Sequence, residues 1–177
     1  TSSLFSVDSF AEYQFIPKPP ILSYVSYALD NWRIKDSSKP FEVENLDTIV
    51  KFSDVTDEAG FILPHVTIEQ RAGLALEAIG KAQQAVTNDE PILAESALWA
   101  MVGSLSAMYA ELVTILLSCS PEVYYKEVRP WIQLFNDVSY QGVAAYDGPQ
   151  MFRGETGAQS SIVSALLAAL GIYHESS

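Results

Sequence analysis

The residues able to do chemistry are few. Two histidines, His65 and His174, and one cysteine, Cys119, occur in 177 residues. A zinc centre built from Cys and His ligands is therefore excluded. His65 and Glu69 lie four apart and share a helix face, but two ligands do not make a metal site, and an ordinary intrahelical contact explains the pair as well. No Gly-x-Ser-x-Gly elbow presents a serine nucleophile, and "GETGAQ" lacks the Gly-Lys-Ser/Thr ending of a phosphate-binding loop.

Three features remain. His65 stands in the first turns of a helix among Phe61, Leu63 and Val66, so its imidazole faces the interior and needs a polar partner. It is either a satisfied core histidine or a functional one. Tyr125 and Arg129 lie four apart on one face beside Tyr124, which sets a cation among aromatic rings. Such a guanidinium suits the carboxylate of a flat ligand, and a surface ion pair with Glu122 or Glu127 is the alternative. Finally, "RGETGAQSS", Arg153 to Ser161, is a Gly-rich turn ahead of an apolar helix, where free backbone N-H groups can hold an anion.

The bulk properties limit what these features can serve. Apolar residues make up 49% and charged residues 18%, which suits one compact domain with large buried faces. A net charge of −12 argues against binding to nucleic acid or to an anionic membrane surface. Cys119 in "LLSCS" reads as a small buried residue, and a reducing, cytoplasmic compartment follows. No signal peptide is visible, although the first residue is Thr rather than Met. The apolar run Ile92 to Leu117 is long enough to span a bilayer, but Glu95, Glu111, Gly103 and several small residues fit a buried core helix better.

The elements that must position these residues are helical. Residues 1–18 read as an extended arm packed on the body, and 19–177 as one helical unit. Leu22, Val25, Leu29 and Trp32 recur at helical spacing after Pro19-Pro20, predicting a helix from Ile21 to Lys35. "FEVENLDTIVKFS" fits a short strand pair or a helical turn equally well. "TDEAG" supplies a cap and first-turn acids for a helix over Phe61 to Thr87 that holds Pro64 near its start. A very apolar helix covers Ile92 to Ser118. Ser120, Pro121 and Glu122 give a strong restart signal, and Pro130 loosens the turn that carries Arg129. Residues 136–157 read as a long loop, a candidate for function. Gln159 to Ile172 form a last helix, apolar on nearly every side, that should be covered on every side.

The stretches "PPILSYVSYALDNW", "GFILPHVTIEQ", "PEVYYKEVRPW", "YQGV", "FRGETGAQSS" and "LGIYH" follow one another as in the indoleamine 2,3-dioxygenase family, which the chain resembles from Pro19 to His174. The resemblance implies an all-α haem-dioxygenase fold, incomplete here, binding haem b and opening the indole ring of L-tryptophan or a related indoleamine with O2 to give N-formylkynurenine. It implies catalytic roles for His65 and Arg129, with Arg129 gripping the substrate carboxylate. Phe61, His65, Tyr124, Tyr125, Arg129 and Thr156 would contact substrate, and Tyr124, Gly157 and Ala158 would border haem. His65 stands where mammalian members carry Ser, and resembles the distal histidine of the related tryptophan 2,3-dioxygenases, which accepts a hydrogen bond from the indole N-H. "GETGAQSS" resembles the family's "GGSAGQSS" segment, with Glu155 and Thr156 in place of smaller residues.

The resemblance also implies that no metal ligand lies in this chain. The axial histidine is expected beyond residue 177, in a C-terminal segment or a second chain that completes the pocket, and His174 stands in the wrong motif for it. A different oxidation of an indole, or a non-catalytic haem-binding or helical interaction protein, are the alternatives.

Overall fold

The computed structural model describes residues 22–133, 135–142, 146–152, 157 and 160–172. The expected arm over 1–18 lies outside them, as do Thr156, Ala158 and His174. The architecture is helical with two small two-stranded sheets.

Two long helices dominate, α1 (Thr56–Thr87) and α2 (Pro91–Ser118), running antiparallel and joined by a turn in which Asp89 adopts a φ of 58°. Helix α1 begins five residues before the expected Phe61, and its N-cap is Val55, whose side chain accepts nothing. Glu58 does the capping instead. Its carboxylate is 1% exposed and accepts the Phe52 N-H at 2.9 Å, the Ser53 N-H at 2.7 Å and the Ser53 hydroxyl at 2.8 Å. An acid three residues into a helix reaching back to upstream N-H groups follows capping-box logic.

Pro64 lies two turns into α1 and offers no N-H to the Gly60 carbonyl. The Ser118 hydroxyl, shared with the Thr114 carbonyl, donates to that orphaned oxygen at 2.9 Å. At Gly60 the helices come so close that a Cβ would collide with the Ser118 carbonyl oxygen, so only glycine fits. Further along, Ala72, Ala75 and Ala78 form a small-residue stripe that packs with Met101 of α2. Arg71 clamps the pair by donating from Nε to Glu111 at 2.8 Å and from its terminal nitrogen to Glu42 at 2.7 Å.

The predicted helix from Ile21 to Lys35 does not form as such. A π-helical turn covers Val25–Leu29, and the chain then enters strand β1 (Trp32–Ile34), antiparallel to β2 (Leu46–Thr48). Asn31 is the reason. Its amide nitrogen donates to the Tyr27 carbonyl at 3.1 Å and the Val50 carbonyl at 2.9 Å, while its oxygen accepts the Val50 N-H at 2.7 Å. This competes with the helical ladder and ties the turn to the segment after β2. The ambiguous stretch 41–53 thus contains a strand, preceded by a short 3-10 turn at Val43–Asn45.

After α2, the restart splits into α3 (Pro121–Val123), a π-helical turn (Tyr124–Val128) and α4 (Arg129–Ile132). Pro121 takes the first position as expected, but the Ser120 hydroxyl makes no cap bond, and the Ser120 N-H instead goes to Asp57 Oδ1 at 2.6 Å. Pro130 cannot donate to the carbonyl four residues back, and the wider turn directly before it accommodates that missing bond. The expected loop over 136–157 contains a hairpin, β3 (Phe135–Val138) with β4 (Gln150–Phe152), whose irregular register coincides with Asp137 at a φ of 61°. Helix α5 (Ser161–Ala169) is shorter than the predicted Gln159 to Ile172, and the Ser160 hydroxyl caps it by accepting the Ile162 N-H at 3.2 Å.

Two burial expectations are corrected. In α2 only Ala97, Met101 and Ser104 are buried, whereas Trp99 is 67% and Leu117 88% exposed. In α5, Ile162 and Leu166 pack on α1 and α2, yet Val163 and Leu170 face outward. Each of the two helices has one face covered by the described residues, α2 by α1 and α5 by α1 and α2 together. By length and apolarity α2 could cross a bilayer. Its Glu111, however, is engaged by Arg71 and Thr67 of α1.

Candidate functional site

Four distant stretches converge on His65. Its own helix brings Phe61 one turn earlier, with ring centroids 4.6 Å apart. The first π-helical turn and its N-cap bring Tyr24 and Tyr27, with the Tyr24 ring edge-on to the imidazole at 6.2 Å and to Tyr27 at 5.8 Å. The second brings Tyr124, whose ring lies 4.5 Å from Phe61. The fourth is Gly157, where a Cβ would stand 3.2 Å from His65 Cδ2, 3.4 Å from Nε2 and 3.8 Å from Tyr24 Cε2. Tyr27 and Tyr124 therefore ride on π-helical segments, and Tyr24 on the N-cap of one; such segments recur at functional sites because they re-aim side chains within a helix.

The protonation of His65 follows from its surroundings. Its Nδ1 lies 2.7 Å from the Phe61 carbonyl oxygen, which can only accept, so Nδ1 carries the proton. Burial lowers the imidazole pKa below its usual 6.5, outweighing the Phe61 carbonyl and the Glu69 carboxylate, which favour the cation. The neutral ring therefore holds its lone pair on Nε2, the nitrogen that faces Gly157. The partner anticipated for a buried imidazole is thus a carbonyl of its own helix.

Glu69, four residues beyond His65, does more than touch its neighbour along the helix. It accepts the Tyr24 hydroxyl at 3.0 Å. Burial, reinforced by the Glu69 charge, pushes the Tyr24 phenol far above its ordinary range, so it stays a donor. The Tyr24 ring is 5% exposed. Sequence reasoning did not single out Tyr24 or Tyr27. The available signal was two tyrosines three residues apart inside "SYVSYAL", an apolar stretch where phenylalanine would serve packing equally well.

Arg129 presents a different environment. It is exposed, and its guanidinium carbon lies 5.4 Å from the centroid of the Tyr125 ring, itself 66% exposed. The surface ion pair weighed for Arg129 does not form. Glu122 is taken by Lys126 at 2.7 Å, and among the described residues no carboxylate pairs with Arg129. Its charge reaches Tyr124, where it opposes the upward shift that burial imposes on that phenol. Phe61, His65, Tyr124 and Gly157 are thus brought together, Tyr125 and Arg129 lie on the adjoining surface, and Thr156 and Ala158 fall outside the described residues.

Two other sequence candidates carry less. Cys119 is buried and free, and burial together with Asp57 raises its thiol pKa, which suits an inert residue. The hairpin region frames a shallow hollow of about 550 Å³ between Ser139 and Gly148 that shares no residue with the His65 cluster. Among the described residues no group of three His, Cys, Asp or Glu could hold a metal ion.

A family model described as indoleamine 2,3-dioxygenase matches residues 14–177. The chain is 31% identical over 164 residues to the indoleamine 2,3-dioxygenase 1 of Rattus norvegicus, covering 89% of this chain and 40% of that protein. It is 32% identical over 164 residues to the Mus musculus counterpart, with the same coverage. A 6-hydroxytryptophan 2,3-dioxygenase of Fusarium equiseti is 26% identical over 144 residues, 75% of this chain and 35% of that protein. The chain thus spans about 40% of the length of the first two relatives.

Proposed function

The chain belongs to the indoleamine 2,3-dioxygenase family, and on that premise we propose that it forms the substrate-facing part of a haem-dependent enzyme that cleaves the indole C2-C3 bond of L-tryptophan, giving N-formylkynurenine. The observation that carries this reading is the presence of a His65 with its proton on Nδ1 and of an Arg129 that has no carboxylate partner among the described residues. The two groups match the two polar ends of tryptophan.

His65 Nε2, with its lone pair free, accepts the indole N1-H and orients the ring. Phe61 and Tyr124 offer aromatic faces for stacking. Arg129 takes the substrate carboxylate through its fork of N-H donors, with no ion pair to a described residue to break first. Gly157 leaves room beside the imidazole by having no side chain.

The residues present fit one side of a planar cofactor. Rings from Phe61, Tyr24 and Tyr124 and the side-chain-free Gly157 gather around the His65 imidazole and offer flat, largely apolar surface to such a group. Tyr124 and Gly157, with Ala158, would border haem b. When bound, haem supplies the ferrous iron that activates dioxygen, both atoms of which enter the product. This chain's own residues bind, orient and shield the indole. A reducing, cytoplasmic setting suits one buried free thiol.

The test is product analysis. Full-length, haem-loaded protein incubated with tryptophan, ascorbate and methylene blue should yield N-formylkynurenine, identified by its mass as tryptophan plus two oxygen atoms. No such product overturns the reading. The Fusarium relative favours a second assay with 6-hydroxytryptophan, and turnover of that compound alone would move the substrate to a ring-hydroxylated indole.

A further inference from the structure

We infer that Gly157 is a positioning residue for His65: the missing side chain at 157 is what allows the imidazole to keep its Nδ1 bond to Phe61 while turning Nε2 toward the substrate side. The inference deepens the functional reading above and rests on it for its catalytic consequence.

The geometry leaves the ring one place to be. On one side the Phe61 ring packs tilted against the imidazole at 4.6 Å and the Phe61 carbonyl holds Nδ1 at 2.7 Å. On another, the Tyr24 ring stands edge-on at 6.2 Å and cannot retreat, because its hydroxyl is held by Glu69 at 3.0 Å and the ring is almost fully buried. On the third side is the backbone of Gly157. A methyl group there would meet Cδ2 at 3.2 Å, closer than ordinary van der Waals contact, and would also touch Nε2 at 3.4 Å and Tyr24 at 3.8 Å. With Phe61 and Tyr24 fixed, the imidazole yields by turning about its side-chain torsions. A turn large enough to relieve the contact strains the Nδ1 bond and moves the Nε2 lone pair from where an indole N-H would lie.

Backbone strain does not explain the glycine. The glycines with positive φ among the described residues are Gly142, Gly148 and Gly171, and Gly157 is not one of them. Open space does not explain it either, since Gly73, Gly80 and Gly103 have nothing within 4 Å of a hypothetical Cβ. Gly157 is the described glycine whose absent side chain is filled by a titratable ring of the candidate site. A bulky residue at 65 and the smallest residue at 157 therefore form a size-matched pair. The pair sets specificity by fixing where the acceptor for the indole N-H stands.

The test is a double-mutant cycle on the full-length protein with Gly157→Ala, His65→Ser and both together. Alone, Gly157→Ala should move the His65 ring 15N resonances, assigned by their loss in His65→Ser, away from a pattern with a hydrogen-bonded Nδ1-H. It should also lower kcat/KM for tryptophan about tenfold through a displaced acceptor. In the His65→Ser background the added methyl has no ring to displace, so its loss of kcat/KM should be several-fold smaller than in the parent protein. Unchanged His65 resonances in Gly157→Ala, or an equal loss of kcat/KM in both backgrounds, would overturn the inference. The NMR arm needs no turnover, so it decides the matter even if tryptophan proves not to be the substrate.

Discussion

The two polar ends of the candidate site are built in opposite ways. Around His65 every neighbour is itself held: Tyr24 by Glu69, Nδ1 by the Phe61 carbonyl, and α1 by the Gly60–Ser118 approach and the Glu58 cap. Around Arg129 little is fixed beyond one exposed tyrosine ring. The difference matches what each group would have to do. An acceptor for a single N-H gains from being immobile, because angular error weakens a hydrogen bond steeply. A cation for a carboxylate gains from having no competing partner, because an internal ion pair would have to be broken before the ligand's could form.

This contrast can be broken from either end. The largest effect is expected from Arg129→Ala, which should raise KM for tryptophan by one or more orders of magnitude, about 2 to 4 kcal/mol for a charged contact, while leaving the His65 ring resonances in place. Unchanged tryptophan affinity in a binding titration would remove Arg129 from the site. Next is Gly60→Ala, in which a methyl forced against the Ser118 carbonyl should cost about 2 to 3 kcal/mol in chemical or thermal unfolding and loosen the His65 end from behind. Tyr24→Phe removes the hydroxyl held by Glu69 and should cost about 1 kcal/mol, with a measurable broadening of His65 resonances. Smallest is Tyr125→Ala, which removes an exposed cation-π contact worth about 0.5 kcal/mol and should barely alter unfolding.

The pH response separates the two ends as well. His65 is folded with its pKa below the unfolded 6.5, so the unfolded chain takes up a proton more readily. The stability contributed by the neutral ring is complete above pH 6.5 and is lost as pH falls from there toward the folded value. Melting curves of full-length protein should therefore decline over that acidic window, and His65→Ala should flatten that part of the decline. Arg129→Ala should leave it unchanged.

Much of this arrangement was legible because it rests on local spacing. Phe61 and His65 fall one helical turn apart, and the aromatic pair at 124 and 125 precedes Arg129 by one turn. Pro130 announced a disturbed turn, which proved to be π-helical. What spacing could not reveal was competition from distant partners. Leu22 to Trp32 has sound helical periodicity, yet Asn31 finds Val50 and the helix ends. Ser120 is a good capping residue by type, yet its hydroxyl makes no cap bond, and its N-H reaches the Asp57 carboxylate of α1, a tie that local spacing does not announce. Tyr24 looked like packing because its partner, Glu69, lies in another element. The β3–β4 hairpin was hidden for a similar reason, since a left-handed Asp137 and a shifted register erase the alternation by which strands are recognised.

The tight turn between α1 and α2 has a kinetic consequence. Pairs on either side of Asn88–Glu90 are close in sequence, so the helical hairpin can zip outward from the turn with little loop to close at each step. The Gly60–Ser118 contact, at the far end, is then the last of the hairpin to form. Tyr24, Tyr124 and Gly157 meet His65 only across much longer loops. The order of folding is thus expected to be scaffold first and ligand pocket last, and mutations in the pocket should speed unfolding far more than they slow folding.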